Sequence, residues 1–154
     1  MGSCISGSER KNVEKDLLMA CTLKNTKQFS LNAMEFNAKV IKVYDGDTIT
    51  LAFKYNGEFQ RFNCRLIGID TPELKSHSAQ EKELAQQART FLVDCIHDRI
   101  VQIEAGKWDK YGRLLIRVYI NNVCINDMMV HKGLAKVYDG GAKSAFIDRD
   151  TDQE

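Results

Sequence analysis

Residues 43–51 read Val-Tyr-Asp-Gly-Asp-Thr-Ile-Thr-Leu. β-Branched residues crowd both sides of the acidic centre: Val40, Ile41 and Val43 before it, Thr48, Ile49 and Thr50 after it. This is strand-forming chain interrupted at one point. Asp45-Gly46 between two such runs is a hairpin signal, with glycine read as the residue that takes a positive φ. The turn accounts for Asp45 and Gly46. It leaves Asp47 unexplained, a second carboxylate where a strand former would serve.

Outward from that turn, the patterning predicts strands over 38–44, 47–55 and 60–69, with Tyr55-Asn56-Gly57 as the second turn. Ser78-Ala-Gln-Glu81 has the form of a capping box. After it Leu84, Ala88, Phe91, Leu92, Cys95 and Ile96 recur at helical spacing, which predicts a helix packed on a core. Two more strands follow at 99–105 and 113–120, then a short helix at 126–132 closed by Gly133. Past Val137 the chain turns rich in Gly and Asp, and no helical pattern returns. Residues 1–37 are polar and charge-mixed, poor in large apolar residues except near Leu17-Leu18-Met19, and read as an arm with one or two helical turns. The class is α+β, mainly β: a five-stranded Greek-key barrel of the OB type with two packed helices, spanning 38–154, and expected as a monomer.

Composition excludes little. The net charge of +1 neither advertises nor forbids a nucleic-acid partner, because a local basic site fits inside a neutral total. Cys4, Cys21, Cys64, Cys95 and Cys124 are odd in number and widely spaced, against a disulfide scaffold or zinc site and in favour of a reducing compartment. His77, His97 and His131 lack ligand-like spacing.

Four further polar positions stand out. Arg65 sits inside the apolar run Cys64-Arg-Leu-Ile67, where a cation needs a partner or a purpose. Asp70-Thr-Pro-Glu73 ends that strand with two carboxylates. Arg113 follows Tyr111-Gly112. Singly, the acids read as turn residues and Arg113 as a strand-end cation. Together they make chemical sense. Asp47 and Asp70 are hard oxygen donors suited to Ca²⁺ or Mg²⁺, Glu73 can activate a water, and two arginines offer forked donors for phosphate oxygens. This is a kit for phosphodiester hydrolysis. Arg65 and Asp70 are five apart, so one continuous strand would point them to opposite faces. A bulge at Gly68, or an Asp70 beyond the strand end, is required to unite them.

YDGDTITL, RLIGIDTPE, DKYGRLL and GLAKV, in that order, resemble the staphylococcal nuclease (thermonuclease) family from about Ala38 to Val137. The resemblance implies a calcium-dependent nuclease acting on DNA and RNA. Carboxylates at Asp47 and Asp70 would hold the metal, with the Thr71 backbone carbonyl. Glu73 would be the base, Arg65 and Arg113 would grip phosphate, and Lys110 and Tyr111 would bind substrate. The family's mobile loop is trimmed after Glu73. Its base-stacking aromatic pair is unmatched, Val137-Tyr-Asp-Gly-Gly141 offering one tyrosine out of place, and its C-terminal helix is mostly missing. The competing reading is a non-catalytic nucleic-acid-binding module, as in the tudor-staphylococcal nuclease proteins. The full set of two metal carboxylates, a base and two arginines favours the enzyme.

Met1-Gly-Ser-Cys-Ile-Ser6 fits the myristoylation pattern, which places the acyl chain on Gly2. One such chain anchors only marginally, so Cys4 is the expected second, palmitoylated site. Asp16 immediately before the apolar run 17–23 argues against a signal peptide. The expectation is an intracellular protein with acyl-mediated membrane association.

Overall fold

The computed structural model describes residues 6–143 and 145–146. The chain divides into two compact units, Met1–Ser30 and Leu31–Glu154, each described by itself. In the first, helix α1 spans Gly7–Met19, longer than the one or two turns expected. The reason is a capping box at Ser6 and Glu9: the Ser6 hydroxyl accepts from the Glu9 N–H at 3.3 Å, and the Glu9 carboxylate accepts from the Ser6 N–H at 2.9 Å. No residue of α1 is buried. Gly2 and Cys4 lie outside the described residues, among which no helix is long and apolar enough to cross a membrane.

The second unit is the barrel. Its long strands are β1 (Glu35–Val43), β2 (Thr48–Tyr55), β3 (Glu58–Leu66), β5 (Ile100–Trp108) and β6 (Leu114–Ile120), with short β4 (Ile69–Asp70), β7 (Val123–Cys124) and β8 (Lys136–Val137). Helices α2 (Ala79–Ile96) and α3 (Ile125–His131) complete it. The main sheet runs β3-β2-β1-β5-β6-β7, and a parallel β3–β6 pairing closes five strands into a ring. Alternate residues such as Val40, Ile49, Leu51, Ile103, Ile116 and Val118 point inward with 1% exposure or less, and Leu92, Ile96 and Met129 cover them from the helices. The expected OB-type barrel with two helices on it is the fold observed. Among the described residues no helix follows β8.

The deciding hairpin works differently from the sequence expectation. Asn56 and Gly57 take φ of +50° and +87°, as a tight primed turn demands. Gly46 is not among the positive-φ residues. It is glycine for lack of space: a Cβ there would lie 2.8 Å from Thr71 Cγ2 and 3.0 Å from Ala88 Cβ. Asp45 makes the turn instead, its Oδ1 accepting from the Asp47 and Thr48 N–H groups at 3.1 and 2.8 Å. Helix α2 then clamps the turn, with Arg89 Nε donating to the Tyr44 carbonyl at 3.0 Å. Gly46→Ala should therefore destabilise the fold by about 1–3 kcal/mol through overpacking, read as a lowered denaturant midpoint at unchanged slope.

The third strand ends sooner than expected. It stops at Leu66, Gly68 takes φ +79°, and the chain restarts as β4, paired with β8 through Ile69↔Val137 and Asp70↔Lys136. That break frees Asp70 from the alternation of β3. Asn126 braces it from beneath, fully buried and donating to the Ile67 and Ile116 carbonyls at 2.9 and 3.0 Å. Its Oδ1 accepts from the Val118 N–H. At α2 the expected capping box is only half made: Ser78 Oγ accepts from the Glu81 N–H at 3.3 Å. The Glu81 carboxylate instead accepts from the Ser76 hydroxyl, and the same hydroxyl accepts from the Ser78 N–H. Ser76 takes the place the reciprocal bond would have had.

Candidate active site

Barrel closure is what assembles the site. Thr48 on β2 faces Arg65 on β3, and Arg65 faces Leu115 on β6. The Asp47 turn, the Arg65 strand and the 109–113 loop before β6 are thus carried to one end of the ring. They line a cleft of about 910 Å³ with Thr71, Glu73, Lys110, Tyr111 and Arg113. Tyr44, Tyr138 and Lys143 line it too. Asp70 sits in the wall, lining a smaller cavity behind, and reaches the cleft through its side-chain partners.

One guanidinium joins the two aspartates. Arg65 Nη2 lies 3.2 Å from Asp47 Oδ2 and 3.1 Å from Asp70 Oδ1, and the two aspartate side chains are 9% and 7% exposed. Burial pushes the Asp47 carboxyl above its ordinary value. Arg65 pulls it back, and the nearby Asp45 charge pushes it up again. The face of Arg65 is covered by Tyr138, whose ring centre lies 5.4 Å from Cζ. The two carboxylates expected to converge therefore do so.

Arg113 is held by a residue that sequence reasoning passed over. Asp109 accepts from Arg113 Nε at 2.7 Å with one oxygen, and from the Tyr111 and Arg113 N–H groups at 2.9 Å with the other. Burial pushes the Asp109 carboxyl up, but the bonds from Arg113 and Tyr111 together bring it below its ordinary value. It is a fixed anion orienting a cation. Arg113 is thus no solvated strand-end charge. Its Nη1 also reaches Thr48 Oγ1 at 3.4 Å, and its Cζ lies 5.4 Å from the Tyr111 ring. Tyr111 is 73% exposed, with Lys110 Nζ on its ring at 5.1 Å. The signal for Asp109 was present: an acid opening a D-x-x-G turn commonly bonds the backbone two residues on.

Glu73 stands on the 71–78 loop with its side chain 65% exposed. Lys143 Nζ lies 3.2 Å from Glu73 Oε1 and 3.2 Å from Asp70 Oδ1. Partial burial lowers the pKa of that ammonium, but its bonds to Asp70 and Glu73 outweigh this and raise it, so Lys143 is charged. Nothing in the Gly- and Asp-rich sequence marked Lys143, because its position depends on β8 pairing with β4.

Among the described residues, no group of three or more His, Cys, Asp or Glu is arranged as a metal cluster. The donor set still fits a hard cation. Asp47 and Asp70 are oxygen donors that share one cationic nitrogen and have little solvent to neutralise them otherwise. They would hold such an ion with the Thr71 carbonyl.

An OB-type barrel that gathers buried acids and two oriented arginines in one cleft is a phosphate-handling class of site. The chain belongs to the family described as staphylococcal nuclease homologue, whose profile matches residues 63–152, more than half of it. It is 33% identical to a thermonuclease of Staphylococcus hyicus, across 68% of this chain and 61% of that protein. It is 34% identical to the uncharacterized protein MJ1439 of Methanocaldococcus jannaschii, across 67% and 59%. It is 31% identical to the endonuclease YncB of Bacillus subtilis, across 73% and 54%. The chain thus spans less than two thirds of the length of these relatives.

Proposed function

We propose that this chain is a Ca²⁺-dependent nuclease that hydrolyses phosphodiester bonds of DNA and RNA with little sequence preference. The observation that carries the proposal is Arg65, one guanidinium shared by two buried carboxylates at the mouth of a cleft. Buried ion pairs contribute little net stability against an apolar alternative, so such a cluster in a barrel wall is better explained by chemistry than by folding. Among the described residues none that lines the cleft belongs to a helix, and the donors there suit phosphate rather than base edges.

Each residue has a role. Asp47, Asp70 and the Thr71 carbonyl would hold the cation, which would supply positive charge to offset the charge that develops on the phosphate. Glu73, open to solvent, takes a proton from the attacking water. Arg65 and Arg113 donate forked hydrogen bonds to the phosphate oxygens and stabilise the charge that grows on them. Lys110 and Tyr111 hold a neighbouring phosphate. By family resemblance the products carry 3′-phosphate and 5′-hydroxyl ends. Thermonuclease and endonuclease relatives support hydrolysis over the binding-module alternative.

The test is to incubate purified chain with plasmid and with RNA and determine the product ends. New 5′-hydroxyl ends on both are expected; tight binding without cleavage would leave a binding module. Acylation at Gly2, with Cys4 as the second site, is a separate proposal resting on the motif alone. Its hydroxyl residue, Ser6, also serves as the N-cap of α1. Intact mass of wild type against Gly2→Ala, expressed in eukaryotic cells, decides it by the presence or absence of a C14 acyl group.

A further inference from the structure

The arrangement that the proposed chemistry leaves unused is the contact of Lys143 with the acids. Residues 136–138 are held against β4: β8 pairs with it and the Tyr138 N–H donates to the Gly68 carbonyl at 2.9 Å, while the Tyr138 hydroxyl donates onward to the Gly141 carbonyl at 2.9 Å. The Gly141 N–H donates to Asp139 Oδ1, and the Lys136 ammonium donates to the Ala145 carbonyl. These bonds tether the Lys143 backbone near the site. Its ammonium lies 3.2 Å from an oxygen of Asp70 and 3.2 Å from an oxygen of Glu73.

We infer that Lys143 is a further positioning residue of this site, a tethered cation paired with Asp70 and Glu73 that competes with the metal for Asp70 and sets how tightly the metal is held. The inference rests on the proposal that Asp70 is a metal ligand. A divalent ion with oxygen ligands at about 2.3–2.6 Å would sit close to the ammonium that lies 3.2 Å from Asp70 Oδ1, and like charges at that range repel. The two cations therefore compete for the charge of Asp70. Without the metal, Lys143 neutralises a buried carboxylate that would otherwise rely on Arg65 alone, and keeps Glu73 turned toward the site. On metal binding the pairing with Asp70 weakens, and the half-exposed position of the Lys143 side chain lets it move aside at little cost. Lys143 thus weakens metal affinity while it preserves the geometry of the site.

Calorimetric titration with Ca²⁺ alone, without nucleic acid, tests this. Wild type, Lys143→Met, Lys143→Arg, Lys75→Met and Asp70→Asn are compared. Lys75 lines the same cleft but is not paired to either acid among the described residues, so it controls for loss of one positive charge. Lys143→Met should bind Ca²⁺ about three- to tenfold more tightly than wild type. Lys143→Arg and Lys75→Met should stay within about twofold, and Asp70→Asn should lose binding. Unchanged or weaker affinity in Lys143→Met, or an equal gain in Lys75→Met, overturns the inference and leaves the metal site intact. Absence of Ca²⁺ binding in both wild type and Lys143→Met overturns the metal reading itself, and the inference with it.

Discussion

Arg65→Lys should lower the cleavage rate by on the order of 10²-fold or more while the barrel stays folded. Lysine keeps the positive charge between Asp47 and Asp70, so the buried acids are not left unpaired and stability should change by about 1 kcal/mol. It loses the planar fork. Arg65 already spends Nη2 on both aspartates at 3.1–3.2 Å, which leaves its remaining donors for a phosphate in the cleft. An ammonium drawn toward the aspartates has no second, rigidly placed nitrogen to offer. Arg65→Ala is the poorer probe, because it strands buried Asp47 and leaves Asp70 to Lys143 alone, and an uncompensated buried charge costs about 3–5 kcal/mol and confounds rate with folding. Rate constants and a denaturant titration on the same preparation separate the two. A near-normal rate in a folded lysine variant would remove Arg65 from the chemistry.

Glu73→Gln should slow cleavage by about 10²- to 10³-fold with KM little changed. The substitution is isosteric and the side chain is mostly exposed. What it removes is the proton acceptor. Ca²⁺ affinity should stay within about threefold, since Glu73 is given no place among the metal ligands and its only described ion pair is the half-exposed one to Lys143. Titration with Ca²⁺ and steady-state kinetics decide this together. Near-normal turnover would remove Glu73 as base, and lost Ca²⁺ binding would make it a ligand instead.

Much of this was legible in the sequence because the signals are local. Alternation and turn residues placed the five long strands within a few residues, and helical spacing placed α2. The acids and arginines stood out because each broke a local pattern. The misreadings have physical causes. Gly46 looked like a φ requirement, but Thr71 and Ala88, distant in sequence, forbid its Cβ. The third strand looked continuous because Ile67 and Ile69 are as apolar as a strand requires, and only the positive φ of Gly68 ends it. Asn126 read as an ordinary helix-start residue, yet it supports the break that turns Asp70 into the site. Lys143 was invisible for the same reason: its place follows from β4–β8 pairing, which two-residue strands do not advertise. Tyr138, out of place beside the family pattern, packs on Arg65.

The central claim is that the cleft hydrolyses phosphodiesters with the help of a hard cation held at Asp47 and Asp70. The most direct measurement is the initial rate of cleavage of an end-labelled oligonucleotide by the wild-type chain as free Ca²⁺ is raised, then removed with EGTA and restored. The account predicts saturable dependence on Ca²⁺, loss of cleavage with EGTA and full recovery on adding Ca²⁺ back. Cleavage indifferent to EGTA, or binding without cleavage at every Ca²⁺ concentration, would contradict it.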